Sequence, residues 1–301
     1  MFAPVVLFTY NRLKNTAETV SCLLLNKEAK DTDLIVYSDA PKKPEAAESV
    51  QEVRQYLHSL QGFKSVKIIE RSENYGLAKN IVTGVTSALE DYDRVIVLED
   101  DFSVSPFFLQ YMNEGLERYK DRDDIASIHG YVYPHKNTLP EVFLIKGADC
   151  WSWATWRRAW RLFNGDAASL YNEIVKRKLQ KEFDFNNTYP YMNMLKNQAK
   201  GTANSWAVCW YASTFLNNMY TLYPNQSMSK INSLEDTSTH STKPSATLLK
   251  YSVGVKQNPI NWNLVSDQSE CVQGRREFES FFISLKSRKR RIYEFFVYLF
   301  R

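Results

Sequence analysis

The stretch RVIVLEDD, residues 94–101, decides the fold, because a short apolar run ends in three consecutive carboxylates. An apolar run of this length with polar flanks is typical of a strand that is buried on both faces of a sheet. Glu99, Asp100 and Asp101 repel one another unless a cation neutralises them, and hard divalent cations prefer such oxygen ligands. The stretch therefore predicts a metal site at the end of a central strand, with an acidic loop or a helix cap as the alternative interpretation.

The same alternation of strand and helix continues on both sides of this stretch. Apolar runs predict strands, and apolar residues three or four positions apart predict helices. The predicted strands are residues 4–9, 33–38, 66–69, 94–98 and 125–128, and the predicted helices are residues 12–26, 44–60, 76–89 and 106–119. This order indicates right-handed βαβ units and hence a Rossmann-like α/β fold, a mostly parallel sheet with helices on both faces. Ligands of such sheets bind beyond the carboxyl ends of the strands.

Two loops after predicted strands therefore attract interest. Thr9, Tyr10, Asn11 and Arg12 lie where the first strand enters a helix. The free N–H groups of a helix start and a neighbouring arginine suit an anion, although a capped helix start explains the same residues. Asp39 follows the second strand, where it either begins a turn or accepts hydrogen bonds from a ligand.

The loop after the third strand reads NYGLAKN, residues 74–80. Its glycine permits a tight turn into the helix, and its polar side chains belong to the same sheet edge. They are Asn74, Gly76, Lys79 and Asn80. The chain contains neither a GxGxxG dinucleotide fingerprint nor a GxxxxGK[ST] phosphate loop. We therefore expect a nucleotide diphosphate to be held by a metal ion and side chains.

The composition of the 301-residue chain excludes several classes of protein. Its 44% hydrophobic residues and net charge of +4 exclude a disordered chain and allow one large or two unequal domains. The basic surplus lies in the C-terminal tail, so the body lacks the spread basic residues typical of nucleic-acid binding. The four cysteines form no CxxC pair, which argues against a zinc site or a disulfide framework. Without a signal-peptide pattern or a long apolar run, we expect a cytoplasmic protein.

The C-terminal tail combines the basic sequence KSRKRR, residues 286–291, with the apolar sequence IYEFFVYLF, residues 292–300. A helix formed by the apolar part alone is roughly 14 Å long, too short to cross a bilayer. A basic cluster beside aromatic residues suits an amphipathic helix on an anionic membrane surface. We therefore expect a peripheral protein on the inner face of the cell membrane. The alternative is a helix that docks on the body or forms a dimer contact.

Taken in order, the loop sequences FTYNR, YSDAP, NYGLAKN and LEDD resemble those of the GT-A glycosyltransferases of the glycosyltransferase family two type. The EDD sequence resembles that of N-acetylglucosaminyltransferase I and of bacterial enzymes similar to it. The resemblance extends over about residues 3–242 and implies the GT-A form of the Rossmann-like fold. It divides the chain into a nucleotide-sugar-binding half (1–130), an α+β acceptor-side half (131–245) and a C-terminal extension with the basic tail (246–301).

The resemblance implies a role for each strand-end residue. Asp39 would contact the base or ribose. Glu99 and Asp100 would support the ribose and the metal shell, and Asp101 would ligate Mn²⁺ or Mg²⁺ between the two phosphates. His240, in a loop that resembles N-I-G-x-D-x-S-G-T-H, would complete the metal shell unless it is a solvated loop residue. The nucleotide-sugar pocket would also contain Thr9, Tyr10, Asn11, Arg12, Asn74, Gly76, Lys79 and Asn80.

The resemblance continues in residues 147–160, GADCWSWATWRRAW. The matching family segment walls the acceptor pocket with aromatic side chains, which would give Trp151 and Trp153 this role, with core packing as the alternative. Asn204 and Trp206 would belong to the same acceptor site. Related enzymes often have an acidic residue just before the tryptophan that corresponds to Trp206. This chain has Asn204 and Ser205 there, and an amide cannot take a proton as a carboxylate does. The general base would then be Asp149, Glu235 or Asp236.

The sequence as a whole predicts an inverting, metal-dependent glycosyltransferase of the hexosyl- or N-acetylhexosaminyltransferase type. The resemblance favours a UDP-sugar over GDP- or dTDP-sugars as the donor. The acceptor would be a glycan or lipid-linked glycan of a bacterial capsule, lipopolysaccharide or exopolysaccharide. Two alternatives stay open. A non-catalytic subunit would bind a nucleotide-sugar or glycan without a base, and a nucleotidyltransferase would usually carry a Gly-rich first loop, which FTYNR lacks.

Overall fold

The computed structural model of the protein describes residues 2–232 and 248–286. Its strands are β1 (Val5–Thr9), β2 (Asp33–Ser38), β3 (Ser65–Glu70), β4 (Arg94–Glu99), β5 (Phe102–Val104), β6 (Ile125–His129), β7 (Val142–Lys146), β8 (Trp153–Trp156), β9 (Tyr220–Pro224), β10 (Ser229–Ile231) and β11 (Val265–Glu270). Its α-helices are α1 (Leu13–Leu24), α2 (Ala47–His58), α3 (Gly76–Asp91), α4 (Phe108–Arg118), α5 (Arg157–Trp160), α6 (Ala167–Lys176), α7 (Gln180–Phe183), α8 (Tyr191–Ala199), α9 (Trp206–Leu216) and α10 (Val272–Leu285). Strands and helices alternate through β6, apart from the short β5.

The predicted α/β fold class is confirmed. Every strand and helix predicted before residue 130 is present, with ends that shift by at most three residues. The strand β4 extends to Glu99, so the first carboxylate of the EDD sequence belongs to the strand itself. The sequence carries no signal for β5, which follows Asp101 directly, because a three-residue strand has no measurable periodicity.

The order of strands in the main sheet is β11-β7-β9-β6-β8-β4-β1-β2-β3. The block from β3 to β4 is parallel throughout, as are the pairs β6–β9 and β7–β11. The strand β8 lies antiparallel between β4 and β6. The chain leaves β1 toward β2 on one side and returns to β4 on the other. The space between the carboxyl ends of β1 and β4 is therefore a topological switch point, where sheets of this kind bind ligands.

The sheet is covered on both faces, as the first strand shows. Val5 and Leu7 pack in a core that contains residues of α1, α2 and α4. Val6 and Phe8 pack in a second core that contains residues of α3, α5 and α9. Successive side chains of a strand point to opposite faces, so a strand between two helical layers is apolar at every position. This burial explains why continuous apolar runs, rather than alternating ones, predicted the strands.

The described C-terminal residues join the same sheet and core. The strand β11 pairs with β7, and Phe278, Phe281 and Phe282 of α10 pack around Tyr133. The main sheet thus takes strands from all three predicted segments of the chain. Residues 287–301, which hold most of the predicted amphipathic tail, lie outside the described residues. Of the helices that the structure describes, none is long and apolar enough to cross a membrane.

Candidate active site

A cleft of about 390 Å³ lies at the switch point, between the carboxyl ends of β1, β2 and β4 and the first turn of α3. We call it the strand-edge cleft. Ten residues that the sequence predicts for the site line it: Thr9, Tyr10, Arg12, Asp39, Asn74, Gly76, Asn80, Glu99, Asp100 and Asp101. Phe8, Lys42 and Leu77 also line the cleft, and no motif marked them because isolated apolar or basic residues carry no chemical pattern. Asn11 and Lys79 are sequence neighbours of lining residues.

Two of the three carboxylates differ in accessibility. Asp100 has a 4% exposed side chain, and Arg12 Nη2 donates to its Oδ1 at 2.5 Å. The Tyr10 N–H and the Thr16 hydroxyl donate to Asp100 Oδ2 at 3.4 and 3.3 Å. Asp101 is 22% exposed, and Arg12 donates to its Oδ2 at 3.3 Å. Asp100 therefore anchors the β1–α1 turn, whereas Asp101 is the carboxylate that a ligand can reach.

Glu99 shows that this cluster holds an excess of negative charge. Burial, together with the charges of Asp101 and Asp100, raises the pKa of Glu99 to about 8, although Arg12 acts in the opposite direction. One guanidinium therefore faces three carboxyl groups. A hard divalent cation would relieve their repulsion, and oxygen donors are the ligands that it prefers.

The cluster suits an ion that is shared with a ligand. In the part of the chain that the structure describes, no group of three or more His, Cys, Asp or Glu side chains is arranged to hold a metal. Mg²⁺ is commonly held by one or two carboxylates together with substrate phosphates, so such a group is not required. The chemistry of the donor set therefore fits a divalent ion that binds together with a diphosphate.

Thr9 offers the cleft a polar group that the protein itself does not use. Its side-chain hydroxyl is buried and has no hydrogen-bond partner among the described residues. The residue ends β1 and lines the strand-edge cleft. Buried polar groups are nearly always hydrogen-bonded, so an exception beside a cavity indicates a place for water or a ligand.

Asp39 has its hydrogen-bonding capacity filled by the chain. Its Oδ1 accepts from the N–H groups of Ala40 and Tyr75 at 2.9 and 2.8 Å. Its Oδ2 accepts from the Gly76 N–H at 2.9 Å and from the Asn74 amide at 3.1 Å. A carboxylate has about four acceptor sites, and all are used here. The structure therefore gives Asp39 the role of holding the β3–α3 loop, and direct contact with a base or ribose requires one of these donors to leave.

The start of α3 is further fixed by stacked cations. The Arg71 guanidinium and the Lys79 ammonium lie 4.5 and 3.7 Å from the centre of the Tyr75 ring. Arg71 also donates to Asn80 Oδ1 at 2.9 Å. Gly76 has a φ of +66°, a backbone conformation that residues with a side chain rarely adopt. Lys79 and Asn80 thus shape the loop that closes one side of the cleft.

A second cavity, of about 190 Å³, surrounds Asp149. We call it the tyrosine pocket, formed by Asp149, Trp151, Tyr133, Tyr189, Tyr191, Tyr211 and Tyr251. Asp149 is half-buried, and the Tyr133 hydroxyl donates to its Oδ2 at 2.5 Å. The sequence predicts only Asp149 and Trp151 for the site. Apart from the neighbours Tyr189 and Tyr191, the tyrosines come from segments far apart in the chain, and no spacing connects them.

The loop that carries Asp149 has an unusual backbone at both ends. Gly147 has a φ of +99° and Ser152 a φ of +52°. Between them, the Trp151 N–H donates to His129 Nε2 at 2.9 Å. His129 Nδ1 then carries the proton and donates to the Tyr131 carbonyl at 2.6 Å. A non-glycine residue with positive φ persists only where its surroundings hold it, and such residues cluster at functional sites.

The four predicted acceptor residues separate into two groups. Trp151 lines the tyrosine pocket, and the exposed Asn204 precedes Ser205, which also lines it. Trp153 and Trp206 are 1% and 7% exposed and pack against each other with ring centres 5.7 Å apart. The positive φ of Ser152 breaks the strand alternation that would put the two tryptophans beside it on one face. Trp153 and Trp206 are therefore core residues, which is the alternative that the sequence left open for Trp153.

The strand-edge cleft and the tyrosine pocket are neighbours. The ring of Trp151, which lines the tyrosine pocket, lies 6.3 Å from the ring of Phe102, the residue that follows Asp101 of the strand-edge cleft. Burial, and then the charges of Asp149 and Glu99, raise the pKa of the Cys150 thiol. Cys150 therefore lies within electrostatic reach of a carboxylate from each cavity.

Three predicted site residues lie outside the described residues: Glu235, Asp236 and His240. The described chain before them ends at Asn232, whose N–H donates to the Asp101 carbonyl at 2.8 Å. The Ser103 hydroxyl donates to the Asn232 side chain. Asn232, the last described residue before them, thus lies beside Asp101.

Comparisons with known proteins point to one family. The family model described as Glycosyl transferase family 2 matches residues 5–161, slightly more than half of the chain. The chondroitin synthase of Escherichia coli is 30% identical over 106 residues, which are 35% of this chain and 14% of that protein. The chain thus spans only a small part of this curated relative.

Two solved structures are similar at low identity. S. aureus TarS 1-349 is 13% identical with a TM-score of 0.42, over 78% of this chain and 62% of that chain. A mannosyltransferase from Pyrobaculum calidifontis, in complex with GDP-Man and Mn²⁺, is 14% identical with a TM-score of 0.31. That similarity extends over 44% of this chain and 36% of the mannosyltransferase chain.

Proposed function

The chain belongs to glycosyl transferase family 2, and from this premise we propose that it is an inverting, metal-dependent glycosyltransferase. The family membership agrees with the resemblance seen in the sequence. The donor is a nucleotide diphosphate sugar, with UDP favoured, and the acceptor is a glycan or lipid-linked glycan in bacterial surface polysaccharide synthesis. Residues 1–130 bind the donor, and residues 131–245 form the acceptor side.

One observation supports this proposal above the others. Four loops that follow β1, β2, β3 and β4 bring ten predicted residues to one cleft at the switch point of the sheet. That position is where α/β sheets bind nucleotides. The cleft offers a Thr9 hydroxyl that has no hydrogen-bond partner among the described residues, a half-exposed guanidinium on Arg12 and a surplus of carboxylates. These groups match the hydroxyls, phosphates and bridging cation of a nucleotide-sugar.

The carboxylates divide the work of holding a divalent ion. Asp101 would ligate Mn²⁺ or Mg²⁺ with the phosphates, and the bound ion would act as a Lewis acid on the departing nucleotide diphosphate. Asp100 keeps Asp101 in place, because its own oxygens are bound to Arg12 and Thr16. The half-exposed guanidinium of Arg12 lies beside both aspartates, where it can also pair with a phosphate. His240 would complete the metal shell from the segment that follows Asn232.

The transfer step needs a proton acceptor beside the cleft. An acceptor hydroxyl oxygen forms a bond to the anomeric carbon while the bond from that carbon to the phosphate oxygen breaks on the opposite face. The hydroxyl proton passes to a carboxylate acting as general base. Asp149 is the base that we propose, because it is half-buried in the adjoining pocket and Tyr133 holds its Oδ2. Glu235 and Asp236 are the other candidates.

The basic tail would place the enzyme at its acceptor. We propose that residues 286–301 lie on an anionic membrane surface, where lipid-linked acceptors are found. Deletion of residues 287–301 should reduce co-sedimentation with phosphatidylglycerol vesicles and leave nucleotide-sugar binding unchanged. Undiminished vesicle binding by the truncated chain would contradict this part of the proposal.

Thermal shift with nucleotide-sugars tests the donor assignment. UDP-, GDP- and dTDP-sugars are added with and without Mn²⁺, and a ligand at 100 times its Kd should raise the Tm by about 5 °C. We expect the largest shift for a UDP-sugar with Mn²⁺. The variant Asp101→Asn should lose the part of the shift that depends on Mn²⁺, because it lacks the reachable carboxylate.

A matched variant controls for the loss of one negative charge. Asp91→Asn removes an exposed carboxylate at the far end of α3 and should keep the full shift. Absence of any shift with all three nucleotide-sugars would overturn the proposal. Binding without transfer to any glycan or lipid-linked acceptor would favour the non-catalytic subunit instead.

A further inference from the structure

We propose that the tyrosine pocket is the subsite for the acceptor sugar and that it takes an uncharged sugar ring in preference to one bearing a carboxylate or phosphate. This inference rests on the proposed function and names the class of substrate that the second cavity selects. The pocket lies next to the strand-edge cleft, because the ring of Trp151 in its wall is 6.3 Å from the ring of Phe102, the residue after Asp101. A sugar held in it therefore lies next to the donor that the strand-edge cleft is proposed to hold.

The walls of the pocket suit the two sides of a sugar ring. Tyr189, Tyr191, Tyr251 and Trp151 are half-buried, so the pocket is open to solvent along these aromatic side chains. The C–H face of a pyranose can pack on such rings while its hydroxyls reach a few polar groups. Ligand pockets commonly combine apolar walls with a small number of fixed polar groups. Asp149 supplies the fixed polar group here.

The charge of the pocket disfavours an anionic sugar. Among the described lining residues Asp149 is the only charged side chain, and there is no Lys, Arg or His. The first turn of α9 contributes about half a positive charge at most, which is less than the full charge of one carboxylate. A uronate or phosphate in this cavity would be buried beside Asp149 without a partner cation, an arrangement that is strongly unfavourable.

The negative potential of Asp149 reaches across the pocket. After burial, the charge of Asp149 is the next cause that raises the pKa of Tyr133, of Tyr189 and of Tyr191. Tyr133 donates to Asp149, whereas Tyr189 and Tyr191 pack against each other with ring centres 4.6 Å apart. An anionic group bound beside any of these rings would therefore be repelled by Asp149.

The pocket is also rigid enough to discriminate. Tyr133, which donates to Asp149, is packed by three phenylalanine rings of α10 with centres 4.9 to 5.1 Å away. The Asp149 loop is fixed by the bond from the Trp151 N–H to His129. Groups that are held by packing on two sides cannot move away from an unfavourable ligand charge.

Binding of two simple glycosides tests the inference without any need for turnover. Saturation-transfer NMR on the full chain, with UDP and Mn²⁺ present, compares methyl β-N-acetylglucosaminide with methyl β-glucuronide. We expect the neutral glycoside to bind at least about tenfold more tightly, because only the glucuronide opposes Asp149. Tyr189→Ala should weaken the neutral glycoside about tenfold by removing one aromatic wall. Asp149→Asn should narrow the preference by improving glucuronide binding.

A control variant and the binding of UDP distinguish a failure of this inference from a failure of the proposed function. Tyr56→Ala removes a half-buried tyrosine from α2 and should leave both glycosides unaffected. Equal or tighter binding of the glucuronide, no binding of the neutral glycoside, or no effect of Tyr189→Ala would each overturn the inference. If UDP with Mn²⁺ still binds in those samples, the proposed function stands and only the acceptor subsite is wrong. If UDP does not bind either, both fail.

Discussion

The strand-edge cleft and the tyrosine pocket are neighbours that the chain builds in opposite ways. The strand-edge cleft takes its polar residues from loops that directly follow β1 to β4, so one rule about parallel sheets predicts all of them. The tyrosine pocket takes its rings from separate segments between residues 133 and 251, and only Asp149 and Trp151 belong to a recognisable motif. Sequence motifs thus reveal a site when a single structural rule brings consecutive loops together.

The chemistry of the two cavities differs as much as their construction. The strand-edge cleft contains three carboxylates, Arg12 and Lys42, a set suited to phosphates and a cation. The tyrosine pocket contains one carboxylate among aromatic rings. We propose donor binding for the strand-edge cleft, and acceptor binding with proton removal for the tyrosine pocket. Changes in one cavity should therefore leave the function of the other intact.

The largest difference between the two cavities is expected when the proposed general base is replaced. Asp149→Asn keeps the shape of the side chain but cannot take a proton, so kcat should fall by about 10³-fold. The KM for the donor should stay unchanged, because the strand-edge cleft is untouched. Initial rates of transfer at several donor concentrations measure both values. Full activity of the variant would move the role of base to Glu235 or Asp236, and a parallel loss of donor affinity would break the separation.

A backbone change in the pocket should cost stability without affecting the cleft. Gly147 has a φ of +99°, and a Cβ added there would overlap the ring of Tyr211. Gly147→Ala should lower the free energy of unfolding by about 3 kcal/mol, as measured by urea titration. Gly254→Ala is the matched control, because its Cβ would meet open space and should change little. A neutral effect of Gly147→Ala would show that the Asp149 loop is not constrained as described.

Removal of the carboxylate that holds the β3–α3 loop should have a smaller effect, and only on the affinity of the strand-edge cleft for the donor. Asp39→Ala removes the acceptor of three hydrogen bonds that hold the β3–α3 loop, donated by Asn74, Tyr75 and Gly76. The KM for the donor should rise about tenfold, with the affinity for a neutral glycoside unchanged. Asp33→Ala, at the other end of β2, removes a carboxylate bound to Lys64 and should not alter donor KM. Equal KM values for the two variants would contradict a positioning role for Asp39.

The smallest expected effect is a pH dependence of the unfolding free energy that comes from His129, which holds the Asp149 loop of the tyrosine pocket. Burial lowers the pKa of His129, despite the opposing effects of Asp149 and the Tyr131 carbonyl. The folded state thus favours the neutral ring of His129. The contribution of this ring to the free energy of unfolding is complete above the unfolded pKa of about 6.5 and is lost as the pH falls through the lower folded pKa. Between pH 7 and pH 5, wild-type protein should lose about 1 kcal/mol more unfolding free energy than His129→Gln.

Urea titrations of wild type and His129→Gln at each pH measure this difference, so that effects of pH on the rest of the chain cancel. Identical pH dependence in wild type and His129→Gln would show that the Trp151 N–H does not depend on a neutral His129.

The sequence predicted more of the fold than of the second cavity, for physical reasons. Buried parallel strands are apolar at every position, so the runs before Thr9, Asp39 and Glu99 were visible without alignment. The separation of Trp151 from Trp153 was not visible, because it depends on the positive φ of Ser152. Nor could motifs show that hydrogen bonds from three backbone N–H groups and the Asn74 amide fill all acceptor sites of Asp39. Most of these bonds form only when the β3–α3 loop folds over the carboxylate.

The central claim is that the strand-edge cleft holds a nucleotide diphosphate together with a divalent ion. Paramagnetic broadening by Mn²⁺ tests this claim directly, because backbone amide NMR signals broaden according to their distance from the ion. On addition of UDP and Mn²⁺, the amides of Tyr10, Gly76 and Asp101 should broaden first, and those of Lys120 and Arg161, which line a separate cleft beside the start of β4, should stay sharp. Uniform broadening, or broadening centred on Lys120 and Arg161, would contradict the claim.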